Sequence, residues 1–168
     1  KQTAHQIDLL NVWLKKLIEA VDPKEKRELL RRIVVVGAYL KRRNNLILVN
    51  EQDGIIKEEE LDLSIREMMR NLQLAGISCG SSVWLGRDLP SDAAMALFDF
   101  YEYVAENAFD GLSFLLARFF CRDNCFYACI DTVCSLDLTK LQSGRISVSQ
   151  PEENCYTLSF KVEGGDRR

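Results

Sequence analysis

Only one histidine, His5, occurs in the 168 residues, and the six cysteines include no Cys-x-x-Cys pair. A zinc site wants paired ligands on tight turns, so that chemistry is not on offer. No uninterrupted apolar stretch reaches the roughly 18 residues of a membrane span, and no signal-peptide pattern opens the chain. Charge of one sign is equally scarce: 22 Lys and Arg stand against 25 Asp and Glu, a net of −3. That balance gives no long-range attraction to nucleic acid or to an anionic membrane. The basic clusters Arg31-Arg32 and Lys41-Arg42-Arg43 are too short for a nucleic-acid surface. Internal repeats, low-complexity segments and an initiator methionine are also missing. The chain starts at Lys1 in what reads as mid-helix, as a fragment of a longer protein would.

What is present is an ordinary globular composition, 47 % hydrophobic and 28 % charged, enough for one or two small domains. Cys79, Cys121, Cys125, Cys129, Cys134 and Cys155 read as reduced thiols of a cytoplasmic protein. On a strand over 125–133, Cys125 and Cys129 share one face at period two. They are expected to behave as small buried apolar residues.

Residues 1–21 place Ile7, Leu10, Leu14, Leu17, Ile18 and Val21 at helical intervals, with Val12 and Trp13 widening the stripe. Asp22 is a good N-cap and Pro23 fits the first position of a second helix over 24–50. Its apolar side carries Leu29, Leu30, Ile33, Val36, Leu40 and Ile47. The faces of this hairpin are too broad for one partner helix, so a four-helix bundle across a homodimer is expected. Residues 51–58, with Asp53-Gly54, read as a linker. A helix over 59–74 ends at Gly76 in the C′ position, and a strand follows over 77–85. Pro90, Ser91 and Asp92 then open a helix over 93–110, with Leu97, Phe100 or Tyr101, Val104 and Ala108 as its buried stripe. Two β-hairpins follow, 112–120 with 125–133 and 145–149 with 155–162, separated by a helical remnant at 137–142. Residues 164–168 read as a frayed tail.

The helix at 93–110 carries Asp99, Glu102, Glu106, Asn107 and Asp110 on its other faces and runs straight into a strand. It resembles the first helix of the ATP-binding domain of sensor histidine kinases, whose Asn helps hold the magnesium of bound ATP. The order of elements resembles that family over nearly the whole chain. A dimerisation and phosphotransfer hairpin (1–52) precedes an ATP-binding α/β sandwich (53–168). Leu74-Ala75-Gly76-Ile77 is similar to the family's helix-to-strand passage, and Asp88-Leu89-Pro90 with Ala96-Leu97-Phe98 to the opening of its nucleotide-site helix. Residues 112–133 resemble its central hairpin, whose second strand ends in an Asp that reads adenine; here that is Asp131. Ser143-Gly144-Arg145-Ile146 resembles the remnant of a Gly-Gly turn. The resemblance implies an α+β fold with a mostly antiparallel sheet. It also implies roles: His5 as phosphoacceptor, Glu106 as a catalytic residue, Asn107 and Asp131 as nucleotide contacts, and Asn107 as a magnesium ligand.

Departures from the pattern concentrate in the chemistry. Tyr103 stands where the family has a Glu four residues before the Asn, and a one-residue slip turns a side chain by roughly 100°. Thr132-Val133 follows Asp131 where glycines should let backbone approach a nucleotide. Between Asp131 and Gly144 there is too little chain for an ATP lid or a phosphate nest. His5 is followed by Gln6 rather than an acid, with Asp8 one turn on. The reading is therefore a histidine-kinase-like signalling module with an impaired nucleotide site and no expected cofactor. It would act through its own dimer and through a response regulator or partner kinase. The alternative is an active kinase that binds ATP and magnesium and phosphorylates His5.

Overall fold

A computed structural model describes residues 2–164, without the side chains of Gln2 and of residues 49–53. The expected tail beyond Gly164 lies outside the described residues. Helices α1 (Gln2–Glu19) and α2 (Pro23–Asp53) form the hairpin. The Asp22 carboxylate accepts from the Lys24 N–H at 3.1 Å and opens α2. Strand β1 (Ile55–Ile56) follows, then α3 (Glu58–Leu74) and β2 (Ser78–Trp84). Gly76 closes α3 with φ +85°. The Gly76 N–H reaches Gln73 O and the Ile77 N–H reaches Leu72 O, the paired bonds of a Schellman ending.

Next come β3 (Leu89–Pro90), α4 (Ser91–Ala108), β4 (Leu112–Arg122) and β5 (Cys125–Cys134). A short 3₁₀ turn at Thr139–Leu141, β6 (Ile146–Glu152) and β7 (Cys155–Glu163) complete the chain. The five-stranded sheet has the order β2-β4-β5-β7-β6, with β2 and β4 parallel and every other pair antiparallel. Strands β1 and β3 pair separately, a two-residue ladder that the sequence pattern did not announce. Asp123 and Asn124, both at positive φ, make the tight turn between β4 and β5. A side chain at Gly111 would meet Ser135 Oγ at 2.6 Å, which explains a glycine where α4 passes into β4.

The sheet buries one face. Leu115, Ala117 and Phe119 of β4, Phe126, Ala128 and Ile130 of β5, and Leu158 of β7 pack beneath α3 and α4. From above, α3 contributes Leu61, Ile65, Met68 and Leu72, and α4 contributes Leu97, Phe98, Tyr101 and Val104. The hairpin divides its apolar surface differently from the expectation. One side of α2, with Val35, Tyr39 and Leu46, belongs to this same core, and Tyr39 stacks on Phe98 at 5.4 Å. The other side of the hairpin stays in solvent: Leu14, Ile18, Val21, Leu30 and Val34 are all exposed.

The cysteine reading needs correcting. Of the six free thiols only Cys134 is buried; Cys125 and Cys129 do share a face, but it is the partly exposed outer one. The strand alternates Phe126, Ala128, Ile130 and Thr132 inward, which leaves Cys125, Tyr127, Cys129 and Asp131 outside.

Candidate functional site

The first turns of α1 pass close to α4, and between them and the β6 side of the sheet lies a cleft of 760 Å³. His5, Asp99, Tyr103, Glu106, Asn107 and Arg145 supply its polar wall. His5 is on α1 with a side chain 63 % exposed, and its Nε2 lies 3.4 Å from Glu106 Oε1. The acidic neighbour missing from the sequence beside His5 thus comes from a different helix, about a hundred residues away. Gln6 turns inward instead. Its amide donates to Glu106 at 3.1 Å and to Glu102 at 3.4 Å, while its buried oxygen has no partner.

Glu102 is 3 % exposed. Burial pushes its carboxyl up to about 9, with the charge of Glu106, a hydrogen bond to it and the charge of Asp99 adding to the effect. Two acids four residues apart on one helix face cannot both ionise cheaply in such a place, so Glu102 holds the proton. One turn earlier, Asp99 accepts from Arg43 Nε at 2.8 Å and Nη2 at 3.0 Å, and from the Tyr39 hydroxyl at 2.7 Å. Burial first, then Asp99, holds the Tyr39 phenol well above its ordinary range. Ion pairs of Arg42 with Glu67 and Arg32 with Asp110 also join α2 to the sandwich.

The residues expected to form a nucleotide site do not all converge. His5, Glu106 and Asn107 line the one cleft. Asn107 uses its amide N–H on the Tyr103 carbonyl at 2.8 Å, inside its own helix. Asp131 lies on the opposite face of the sheet, where it accepts from Arg118 at 2.6 Å and from the Thr157 hydroxyl at 2.7 Å. The cause is strand alternation: at the end of β5 the inward position is Thr132, whose buried hydroxyl has no partner. Pairing Asp131 with Asn107 around a nucleotide is therefore corrected. Among the described residues no group of three or more His, Cys, Asp or Glu side chains could hold a metal ion.

Between β5 and β6 the chain makes only the 3₁₀ turn, anchored by the Asp137 carboxylate on the Thr139 N–H at 2.9 Å and on its hydroxyl at 2.6 Å. These bonds hold Asp137 below the usual carboxylate range. No α-helix rises here over the cleft, and among the described residues Arg145 is the one arginine or lysine in its wall.

A solved bacterial phosphotransferase has this arrangement, at 13 % identity and a TM-score of 0.50, covering 94 % of this chain and 89 % of that one. The fold is that of this phosphotransferase. The histidine kinase AdeS of Acinetobacter baumannii also matches, at 11 % identity and a TM-score of 0.49, with 96 % of each chain covered. No protein-family model matches the chain, and no curated protein does. Likeness at these identities is a likeness of fold. Within this fold, the buried Glu102, the Gln6 bridge and the Arg43–Asp99–Tyr39 cluster were not anticipated. The spacing of Glu102 and Glu106 was the one available signal, since it puts both acids on the same helix face.

Proposed function

We propose that the chain is a signal-transduction module that works by dimerising and docking protein partners, with its ATP-dependent kinase chemistry impaired. The segment between β5 and β6 carries this reading. Residues 135–145 form a loop with one 3₁₀ turn, and a triphosphate needs several converging N–H donors or a cation cage. The cleft wall offers Arg145 against Asp99 and Glu106, and Asp99 already holds Arg43. Two cations set against two carboxylates leave no surplus of positive charge to hold a triphosphate. The exposed side of the hairpin supports the dimer half of the reading, because Ile18, Val21, Leu30 and Val34 would be covered in a bundle with a second copy.

The contact of His5 with Glu106 favours a second reading, in which His5 carries a phosphoryl group received from a partner protein. A carboxylate beside an imidazole orients the ring and fixes which nitrogen carries the proton, leaving the other free to attack phosphorus. Incubation with magnesium and ATP, followed by detection of acid-labile phosphate, tests the first reading. No label is expected, and label that vanishes in His5→Gln would restore the kinase. Phosphoramidate, which phosphorylates imidazole without an enzyme, tests the second. The wild type should then form phosphohistidine markedly faster than Glu106→Gln, and equal rates would remove Glu106 from the reading.

A further inference from the structure

The outer face of the sheet, away from α4 and His5, carries three aromatic side chains in direct register. Trp84 of β2 pairs with Phe120 of β4, and Phe120 pairs with Tyr127 of β5. Phe120 and Tyr127 stack with centroids 5.2 Å apart and planes 9° from parallel. Trp84, which continues the row at the edge strand, is 79 % exposed. Tryptophan is seldom left so bare, because its large apolar surface costs free energy in water. A groove of 550 Å³ runs beside the row, and the charged side chains in its wall are Arg118 and Arg122. Both arginines point to the outer face, four residues apart on β4. Asp131 takes one edge of Arg118 at 2.6 Å and Asp123 lies 3.3 Å from Arg122 Nε. A guanidinium has five N–H donors in a fixed fork, so each keeps donors for a further carboxylate.

We propose that the groove along Trp84 and Phe120, with Arg118 and Arg122, is a docking surface for an acidic, aromatic-bearing segment of a partner protein. The chemistry of the wall selects this occupant. A bare tryptophan at the end of a stacked row takes an aromatic or large apolar side chain by offset stacking. The two planar cations beside it take carboxylates, in a chain whose net charge is −3. Trp, Tyr and Arg are also the residue types that dominate binding energy at protein interfaces. The cleft at His5 opens on the other side of the sheet, so this surface can be engaged whatever happens there.

Selection of random displayed dodecapeptides on the full chain tests the proposal, run in parallel on the Trp84→Ala/Arg122→Ala double variant. Both substituted side chains are exposed, and matching thermal melts would verify that the variant is folded. Sequences combining Asp or Glu with Phe, Tyr or Trp should be enriched on the wild type alone. Synthetic peptides of those sequences should bind about tenfold or more weaker to Trp84→Ala and to Arg122→Glu. No enrichment over the double variant, or enrichment of basic or purely aliphatic sequences, would overturn it. Loss of self-association in Trp84→Ala would also overturn it, by assigning the face to a second copy of the chain.

Discussion

Glu102 sits in an environment far from what a carboxylate prefers. Its carboxyl rises from an ordinary 4.5 to about 9 because burial, and then Glu106, disfavour its ionised form. The folded protein therefore keeps a proton that the unfolded chain gives up. Below the unfolded value both states are protonated and the group has no effect. Between that value and about 9 unfolding releases one proton, so stability falls as pH rises, by up to about 1.4 kcal/mol per pH unit. Glu102→Gln keeps the shape without a proton to lose. Urea midpoints at pH 5, 7 and 9 should decline steadily for the wild type and much less for the variant, which should be the more stable protein at pH 9. Parallel curves would mean that Glu102 ionises in the fold.

Among elements, α2 bears the most consequence, since it closes the hairpin on one side and the sandwich core on the other. Asp99 holds both Arg43 and the Tyr39 hydroxyl, and the Arg43 and Asp99 side chains are each 18 % exposed. Asp99→Ala leaves a cation and a phenol without their partner and should cost roughly 3 kcal/mol. Arg66→Ala, which removes an exposed pair with Asp62 on α3, should cost less than about 0.5 kcal/mol. Denaturant titrations of the two variants decide this, and equal losses would deny α2 its tie to α4. Much at this scale could be read from the residues alone. Periodicity marked all four helices, Gly76 ended α3 where a positive φ was needed, and both hairpins fell within a few residues of their observed ends. The failures differ in cause. The outward turn of Asp131 and of the partly exposed Cys125 and Cys129 was legible in the strand, where Phe126, Ala128 and Ile130 mark the opposite face as the buried one. The meeting of His5 with Glu106 joins helices about a hundred residues apart, which local pattern does not report.

For the molecule as a whole, the unsettled surface is the outer side of the hairpin. Ile18 is 83 % exposed and Val21 88 %, with Leu14, Leu30 and Val34 nearby in the same two helices. A monomer rarely leaves so many large apolar side chains on one hairpin in water. In the proposed dimer a charge at this seam would be buried without a partner, at a cost of several kcal/mol. Light scattering should give twice the chain mass for the wild type and a single chain mass for Ile18→Glu or Val34→Glu. A wild type that already scatters as one chain at micromolar concentration would end the bundle idea. Tyr39, Val35 and Leu46 keep α2 in the core of each copy, so the separated chains should stay folded.

The single parallel pair in the sheet has a consequence in time. The β4–β5 and β6–β7 ladders each close over a turn of neighbouring residues, and such hairpins form within about 1–10 μs. Strand β2 can settle against β4 only when the whole of α4 has been laid between them, a contact with a large loop-closure cost. The edge strand is thus expected to join last and leave first. Substitutions at the Asp123-Asn124 turn should then slow refolding, whereas substitutions in β2 should mainly hasten unfolding, in the two arms of a denaturant chevron.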